Sequence, residues 1–437
     1  MTSHAELAAA MTEGTAAAKR GAYAEAVHAF ERATKLAPGL AAAHMNLGNV
    51  LARLGRASES VACLERAVAL DPKAALPHYN LGNALADLGQ LEAAARAFRA
   101  ALAQDPGFVA ARNNLGSALL RQAAHAEALD CFRAVVAAEP AFPHAQYNVG
   151  LALAALGRAD EAHVVYQRAL AQDPRDLMTL NNLCLSALRL GAADEALGLC
   201  ERYLELSPAN RKPLAYKAVA LIELGRRDEA AALLDFRRLI LRKPVAAPAG
   251  YASIAEFNTA LAAFAEQHPS LAFEPPDKST VGGSQTGELL LAPSTVTTAL
   301  GAMIRTAVPE YIARLRTALP AHPYTQGLPE RWRLATWAVV LQEAGHQGPH
   351  FHPDGYISGV YYARLPSTMG DATDHAGWLE FGRTGDAIGN REDPLIELVR
   401  PEEGLLLLFP SYFYHRTIPF EGAEPRISVA FDVLPGA

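Results

Sequence analysis

The chain has 437 residues, about three times the ~150 residues of an average domain, so a single small module is excluded and at least two domains are expected. Hydrophobic residues make up 51% but aromatics only 7%; much of the apolar count is alanine, and no run approaches the ~18 unbroken apolar residues of a membrane span. Lys and Arg number 39 against 46 Asp and Glu, a net charge of −7, which argues against nucleic-acid binding through a broad basic face.

Four cysteines, Cys63, Cys131, Cys184 and Cys200, stand in the first half in no CxxC arrangement. They read as reduced, buried small hydrophobes of a cytoplasmic protein, with neither a disulfide framework nor a thiolate metal site. The opening Met-Thr-Ser-His-Ala-Glu-Leu has no basic n-region and no apolar h-region, so export by a signal peptide is not expected.

In chain order, a repeat comes first. Pro38, Pro72, Pro106, Pro140, Pro174 and Pro208 are spaced by 34 residues at every step, which divides the chain into units beginning near Leu7, Ala41, Ala75, Val109, Pro143 and Leu177, with a proline-less seventh from Arg211. Small residues recur in phase: Gly14, Gly48, Gly82, Gly116, Gly150, Cys184 and Ala218 in a first helix, and Ala26, Ser60, Ala94, Ala128, Ala162, Ala196 and Ala230 in a second. They let two antiparallel helices approach closely. Gly21, Gly55, Gly89, Gly157, Gly191 and Gly225 serve the turn between them, and the closing proline suits the start of the next helix.

Over about residues 7 to 240 the sequence resembles the tetratricopeptide repeat family in unit length and small-small-Pro pattern. The resemblance implies an all-α solenoid with a concave groove that holds peptides or partner proteins. Asn46, Asn80, Asn114, Asn148 and Asn182 occupy the sixth position of five successive units. An Asn side chain offers both a donor and an acceptor to a peptide backbone, and the series resembles the asparagine ladder lining the repeats of protein O-linked GlcNAc transferases. The competing reading is that these asparagines stabilise packing between repeats.

The repeat fades in the seventh unit, and the Pro/Gly/Ala stretch at about 242 to 250 reads as a boundary between domains at 1–244 and 245–437. Helical patterns follow at Ile254 to Gln267 and Ser294 to Leu319, separated by a polar, glycine-bearing segment from Lys278 to Gly287. Strands are then predicted at Leu334 to Gln342, Tyr356 to Leu365, Gly377 to Phe381, Leu405 to Phe409 and Arg426 to Val433, an antiparallel sandwich or jelly roll.

This β-rich region carries the chemistry. His350 and His352 stand two residues apart, a spacing that on a strand turns both rings to one face. His415 lies 65 residues further on, and Arg426 and Ser428 share one face of the strand after it. Two ligands from one segment, a third from a distant one, and open coordination positions are the logic of a non-haem iron oxygenase. An Arg beside a hydroxyl would anchor the far carboxylate of 2-oxoglutarate by a charge-assisted fork.

The ordered motifs His350-Phe-His352-Pro-Asp-Gly-Tyr-Ile-Ser-Gly-Val-Tyr-Tyr, Gly377-Trp-Leu-Glu-Phe-Gly, Leu408-Phe-Pro-Ser-Tyr-Phe-Tyr-His415 and Arg426-Ile-Ser428-Val-Ala-Phe-Asp, with Gly282-Gly-Ser-Gln285-Thr-Gly before them, resemble bacterial Fe(II)/2-oxoglutarate-dependent oxygenases. Those proteins often carry N-terminal tetratricopeptide repeats. The resemblance covers about 275 to 435 and implies a double-stranded β-helix, Fe(II), 2-oxoglutarate as cosubstrate and O2. The wider superfamily supplies His-x-Asp/Glu…His, which leaves two ligand sets. His350, His352 and His415 form one, favoured by the His-x-His-Pro of related sequences; His352, Asp354 and His415 form the other. Tyr362, in phase with Ser358 and Val360, is the expected donor to oxoglutarate in preference to Tyr361. Trp332, Trp337 and Trp378 read as core or pocket wall, and His346 and His375 as solvated loop residues.

The function expected is therefore an Fe(II)- and 2-oxoglutarate-dependent dioxygenase that hydroxylates a peptide or protein recruited by the solenoid. A comparable pairing of repeats and oxygenase occurs in aspartyl/asparaginyl β-hydroxylases, an analogy at the level of fold. The alternatives are an oxygenase of small metabolites whose solenoid docks a partner, and a non-catalytic repeat adaptor with a degenerate oxygenase domain. No nucleic acid or membrane partner is expected.

Overall fold

The computed structural model describes residues 2–276, 278–369, 374–385, 388 and 391–436. Two compact units emerge, Met1–Pro174 and Arg175–Ala437.

The first unit consists of helix pairs at the repeat period, from Thr2–Lys19 with Tyr23–Leu36 to Ala145–Ala155 with Ala159–Gln172. Each pair is joined by the same packing device. A Cβ added to Gly82 would lie 2.5 Å from the ring of Phe98, sixteen residues on, and Phe98 is buried. The positions Gly14 and Phe30, Gly48 and Leu64, Gly116 and Phe132, and Gly150 and Tyr166 repeat this relation. The glycine is required because the large side chain of the second helix rests on the backbone of the first. The turns also repeat: Gly21, Gly55, Gly89 and Gly157 all have φ between 73° and 76°, a conformation favourable to glycine. In the fourth unit the same left-handed turn is made by Ala123 at φ 59°.

The second unit begins with two further helix pairs, Leu177–Leu190 with Ala193–Leu206 and Lys212–Glu223 with Arg227–Leu234, before a short helix Phe236–Leu239. The strands are β1 (Leu241–Pro244), β2 (Ala272–Phe273), β3 (Thr280–Gln285), β4 (Trp332–Gln347), β5 (Ile357–Arg364), β6 (Leu379–Phe381), β7 (Glu397–Val399), β8 (Leu405–Pro410), β9 (His415–Thr417) and β10 (Arg426–Pro435). They form a seven-stranded sheet in the order β1-β8-β5-β10-β4-β3-β2 and a three-stranded sheet in the order β7-β6-β9. Among the described strands the pairings are antiparallel, as in a jelly roll. Helices Ile254–Glu266 and Thr295–Ala318 support the larger sheet; Tyr361 of β5 hydrogen-bonds Asn258 on the first of them.

Several strands differ from the sequence expectation. The boundary stretch at 242 to 250 opens inside β1, whose Leu241 pairs with Leu408, so residues assigned to the solenoid side of 244/245 are part of the large sheet. The polar segment from Lys278 to Gly287 contains β3, which pairs with β4 through a register shift at Gly282, φ 64°. Its glycines obscure the strand signal because they serve that bulge. His346, expected in a loop, lies on β4.

One hydrophobic core runs through the second unit from Cys184, Leu188 and Cys200 to Leu214, Tyr216 and Ile222 and on to Leu406, Phe409, Val429 and Phe431. The two helix pairs are tied to the strands by specific contacts. Tyr412 Oη donates to Leu233 O at 2.6 Å, Tyr216 meets Phe351 edge-on at 5.8 Å, and Arg391 Nη1 donates to Leu188 O at 3.0 Å. All four cysteines are free thiols.

Candidate metal and cosubstrate site

His350 and His352 lie just beyond the end of β4, not on a continuous strand. The backbone achieves the same convergence by another route. His350 N donates to His415 O at 3.0 Å and His415 N to His350 O at 2.8 Å, an isolated antiparallel bridge. His352 N is held by Ser411 O at 2.9 Å. The sequence cue of an i, i+2 pair thus identified the residues, while the partner segment 411–415 sets their orientation.

The three imidazoles offer nitrogen atoms within 4.8 Å of one another and are the group of His, Cys, Asp or Glu residues among those described that could hold a metal ion. Each ring has its Nδ1 engaged. His350 Nδ1 is 2.8 Å from Gly348 O, His415 Nδ1 is 2.9 Å from Phe413 O, and His352 Nδ1 is 2.6 Å from Asp432 Oδ1. Since the partners are acceptors, each Nδ1 carries the proton and Nε2 keeps a free lone pair. Burial, reinforced by the neighbouring His352, lowers the pKa of His350 to about 4. Burial and the other two imidazoles push His415 well below 6.5. These two rings are therefore neutral at physiological pH, the protonation state that binds metal.

Asp354, the alternative ligand, sits on the exposed turn after His352 and does not join this group; Pro353 and Gly355 have already turned the chain away. The carboxylate at the centre is Asp432, the last residue of the Arg426-Ile-Ser428-Val-Ala-Phe-Asp motif. It lies opposite Ser358 on β5, and Ser358 Oγ donates to the same Oδ1 at 2.6 Å. Its partner His352 is 80 residues distant, so only the fold reveals the pair.

Further along the same face of β10 are Ser428 and Arg426. Arg426 is 1% exposed. Its Nη1 donates to Ser428 Oγ at 3.3 Å, its Cζ lies 5.0 Å from the Tyr362 ring centroid, and its Nε has no hydrogen-bond partner. The buried Tyr362 hydroxyl approaches the guanidinium but makes no hydrogen bond of good geometry. A buried cation without a counter-charge is costly, and here both its own Nε and the neighbouring Tyr362 hydroxyl lack a hydrogen-bond partner. Ser428 faces Tyr362 across the strands, whereas Tyr361 points to the opposite face, toward Phe257 and Asn258.

The three imidazoles suit a ferrous ion, and the buried Arg426 suits the far end of a dicarboxylic cosubstrate. Phe381 and Phe409, 6.0 and 5.0 Å from the His415 ring between centroids, form an apolar wall. Trp337 lies 5.6 Å from His352, and Trp378 is packed against His375 with its indole nitrogen buried and unpartnered.

The asparagines of the repeats are half-buried. Asn114 Nδ2 donates to Asn83 Oδ1 at 2.8 Å and Asn148 Nδ2 to Asn113 Oδ1 at 2.9 Å. These bonds join neighbouring repeats, so part of the hydrogen-bonding capacity of Asn114 and Asn148 serves packing. Asn46 and Asn80 hold the same position in their own helices, as does Asn182 in the second unit.

Known families match both the repeat-bearing and the β-rich parts of the chain. Residues 335–432 match the family model described as "Putative 2OG-Fe(II) oxygenase". Residues 48–89 match a TPR repeat model, and 79–140, 125–176 and 150–211 match a tetratricopeptide repeat model. The chain thus carries tetratricopeptide repeats in its N-terminal region and a 2OG-Fe(II) oxygenase domain of that family at its C-terminal end. The domain implies Fe(II), 2-oxoglutarate and O2, and the repeats are peptide- and protein-binding modules. No curated protein matches the chain.

Similar solved structures are repeat proteins. The MamA protein is 24% identical, with 39% of this chain and 93% of that one covered and a TM-score of 0.37. A tetratricopeptide repeat protein from Parabacteroides merdae is 17% identical, with coverages of 53% and 91% and a TM-score of 0.44. YrrB, titled a TPR protein with an unusual peptide-binding site, is 22% identical, with coverages of 42% and 94% and a TM-score of 0.37. Among the described residues, no helix is long and apolar enough to cross a membrane.

Proposed function

We propose that the protein is an Fe(II)- and 2-oxoglutarate-dependent dioxygenase that hydroxylates a peptide or protein recruited by its repeats. The observation that carries this reading is the pairing, in one β unit, of three Nδ1-anchored histidines with a buried, acid-free arginine. His350, His352 and His415 would hold the iron through Nε2. Asp432 and Ser358 would fix the His352 ring, and Arg426, Ser428 and Tyr362 would receive the 5-carboxylate of oxoglutarate. When bound, iron would let O2 react with oxoglutarate, one oxygen atom going to the succinate formed with CO2 and the other into a substrate C–H bond. The chain's own task is to orient the cosubstrate, exclude water with Phe381 and Phe409, and present the substrate.

Substrate capture is assigned to the helix face bearing Asn46, Asn80, Asn114 and Asn148 in the first unit. Asn182 holds the equivalent position in its own repeat. Free cysteines support a reducing, cytoplasmic setting.

The test is anaerobic loading with Fe(II), then air and oxoglutarate, with and without a cell lysate. Succinate is expected from the wild type, and His415→Ala should abolish it. No succinate under either condition refutes the enzyme reading. Replacing Asn80, Asn114 and Asn148 by Ala should reduce retention of a modified protein substrate, and undiminished retention removes the groove from the proposal.

A further inference from the structure

The second unit buries another arginine without an acid. Arg211 stands immediately before helix Lys212–Glu223 and is 6% exposed. Its Nη1 donates to Pro208 O at 2.5 Å, and its Nε has no partner. The guanidinium lies against the backbone of Gly327, where a Cβ would overlap Nη2. The groups that act on it electrostatically are the tyrosines 324, 356 and 412, none of them a carboxylate. Two of their hydroxyls are already used, Tyr324 on Tyr356 O at 2.8 Å and Tyr412 on Leu233 O at 2.6 Å. An arginine stays charged at any physiological pH, so this is a second uncompensated buried cation.

Arg211 opens onto a cavity of about 790 Å³ whose walls include Asn210, Arg333, Asp354, Gly355 and Asp432. That volume suits a small ligand or a few peptide side chains. Asp432, on its wall, is the residue that fixes His352 through Nδ1, so one carboxylate separates the cavity from the histidine cluster. Asp354 and Asp432 on the wall are matched in number by Arg333 and Arg211; of the two arginines only Arg211 is buried, and a single carboxylate matches that one guanidinium.

We propose that this cavity is the subsite for a carboxylate of the substrate being oxidised, with Arg211 as its anchor. The assignment rests on the oxygenase reading above and narrows its substrate to an acid. The carboxylate could belong to an acidic residue of a peptide or to a free small acid.

The full-length protein can be titrated by ligand-observed NMR with N-acetyl-Gly-Asp-Gly-amide, its Asn counterpart and propionate. The Asp peptide or propionate should bind and the Asn peptide should not. Arg211→Met should weaken binding about tenfold or more, the scale of a charge-assisted hydrogen bond, and Arg211→Lys should restore part of it. Gly327→Ala, which displaces the guanidinium while keeping it, should also weaken binding and serves if Arg211→Met does not fold. Saturating 2-oxoglutarate should leave binding in place, because the proposed cosubstrate anchor at Arg426 is a different site. Preference for the peptide identifies an acidic side chain; equal affinity for propionate identifies a free acid. No binding by the wild type, no effect of Arg211→Met, or displacement by 2-oxoglutarate overturns the subsite. Succinate production measured on the same samples separates the two readings: turnover without carboxylate binding defeats only the subsite, and binding without turnover defeats the oxygenase reading.

Discussion

Asp432 holds His352 through a 2.6 Å contact and takes a second hydrogen bond from Ser358 at the same oxygen. The His352 ring could otherwise rotate or take the other tautomer, placing its proton where a metal should bind. In Asp432→Asn the amide can turn its NH2 toward Nδ1 and favour that wrong tautomer. Affinity for a ferrous ion should fall about 10- to 100-fold, read by competition with a colorimetric chelator under anaerobic conditions, while the fold persists. An unchanged affinity would show that Asp432 only packs. The histidines were legible because their motif is local and His415 follows a distinctive Phe-Pro-Ser corner. Asp432 was not, because its role depends on a register between strands that brings residues 80 positions apart into contact. Asp354 was a plausible candidate by spacing alone, and a proline turn removed it.

At the level of elements, the 34-residue period is legible to the single residue because each repeat solves one packing problem with one small and one large side chain. The exception is informative. Ala123 makes the interhelical turn at φ 59°, where its counterparts are glycine. A left-handed alanine costs about 1–2 kcal/mol, and glycine returns part of that as unfolded-chain entropy. Ala123→Gly should therefore stabilise the first unit by up to about 1 kcal/mol, measurable as a higher midpoint in urea unfolding followed by circular dichroism. A lower midpoint would mean that the alanine methyl contributes packing that outweighs its strain. The strands were less legible than the helices. β3 is written in glycine and serine, and β7 and β9 are three residues long, too short for alternation to register.

At the scale of the whole molecule, the end of the repeat pattern is not the edge of a core. The sequence places a boundary at 244/245, where the repeat period fades. The second compact unit instead begins at Arg175, and its core is continuous from Cys184 to Val433. A fragment starting at 245 would lose β1 from the sheet, the Tyr412 bond to Leu233 O, the Phe236 ring 5.0 Å from Phe413 and the buried faces of Leu214, Tyr216 and Leu239. Each such apolar side chain contributes about 1.5–3 kcal/mol on burial, so losing four removes about 6–12 kcal/mol, comparable to the whole ~5–15 kcal/mol that holds a domain together. All three tryptophans, Trp332, Trp337 and Trp378, lie in the second unit, so their fluorescence reports on it alone. Fragment 175–437 should unfold in urea with a cooperative transition, and fragment 245–437 should show none. A cooperative transition in the shorter fragment would mean that the β strands form an independent core and that the last two repeats are an attachment to it.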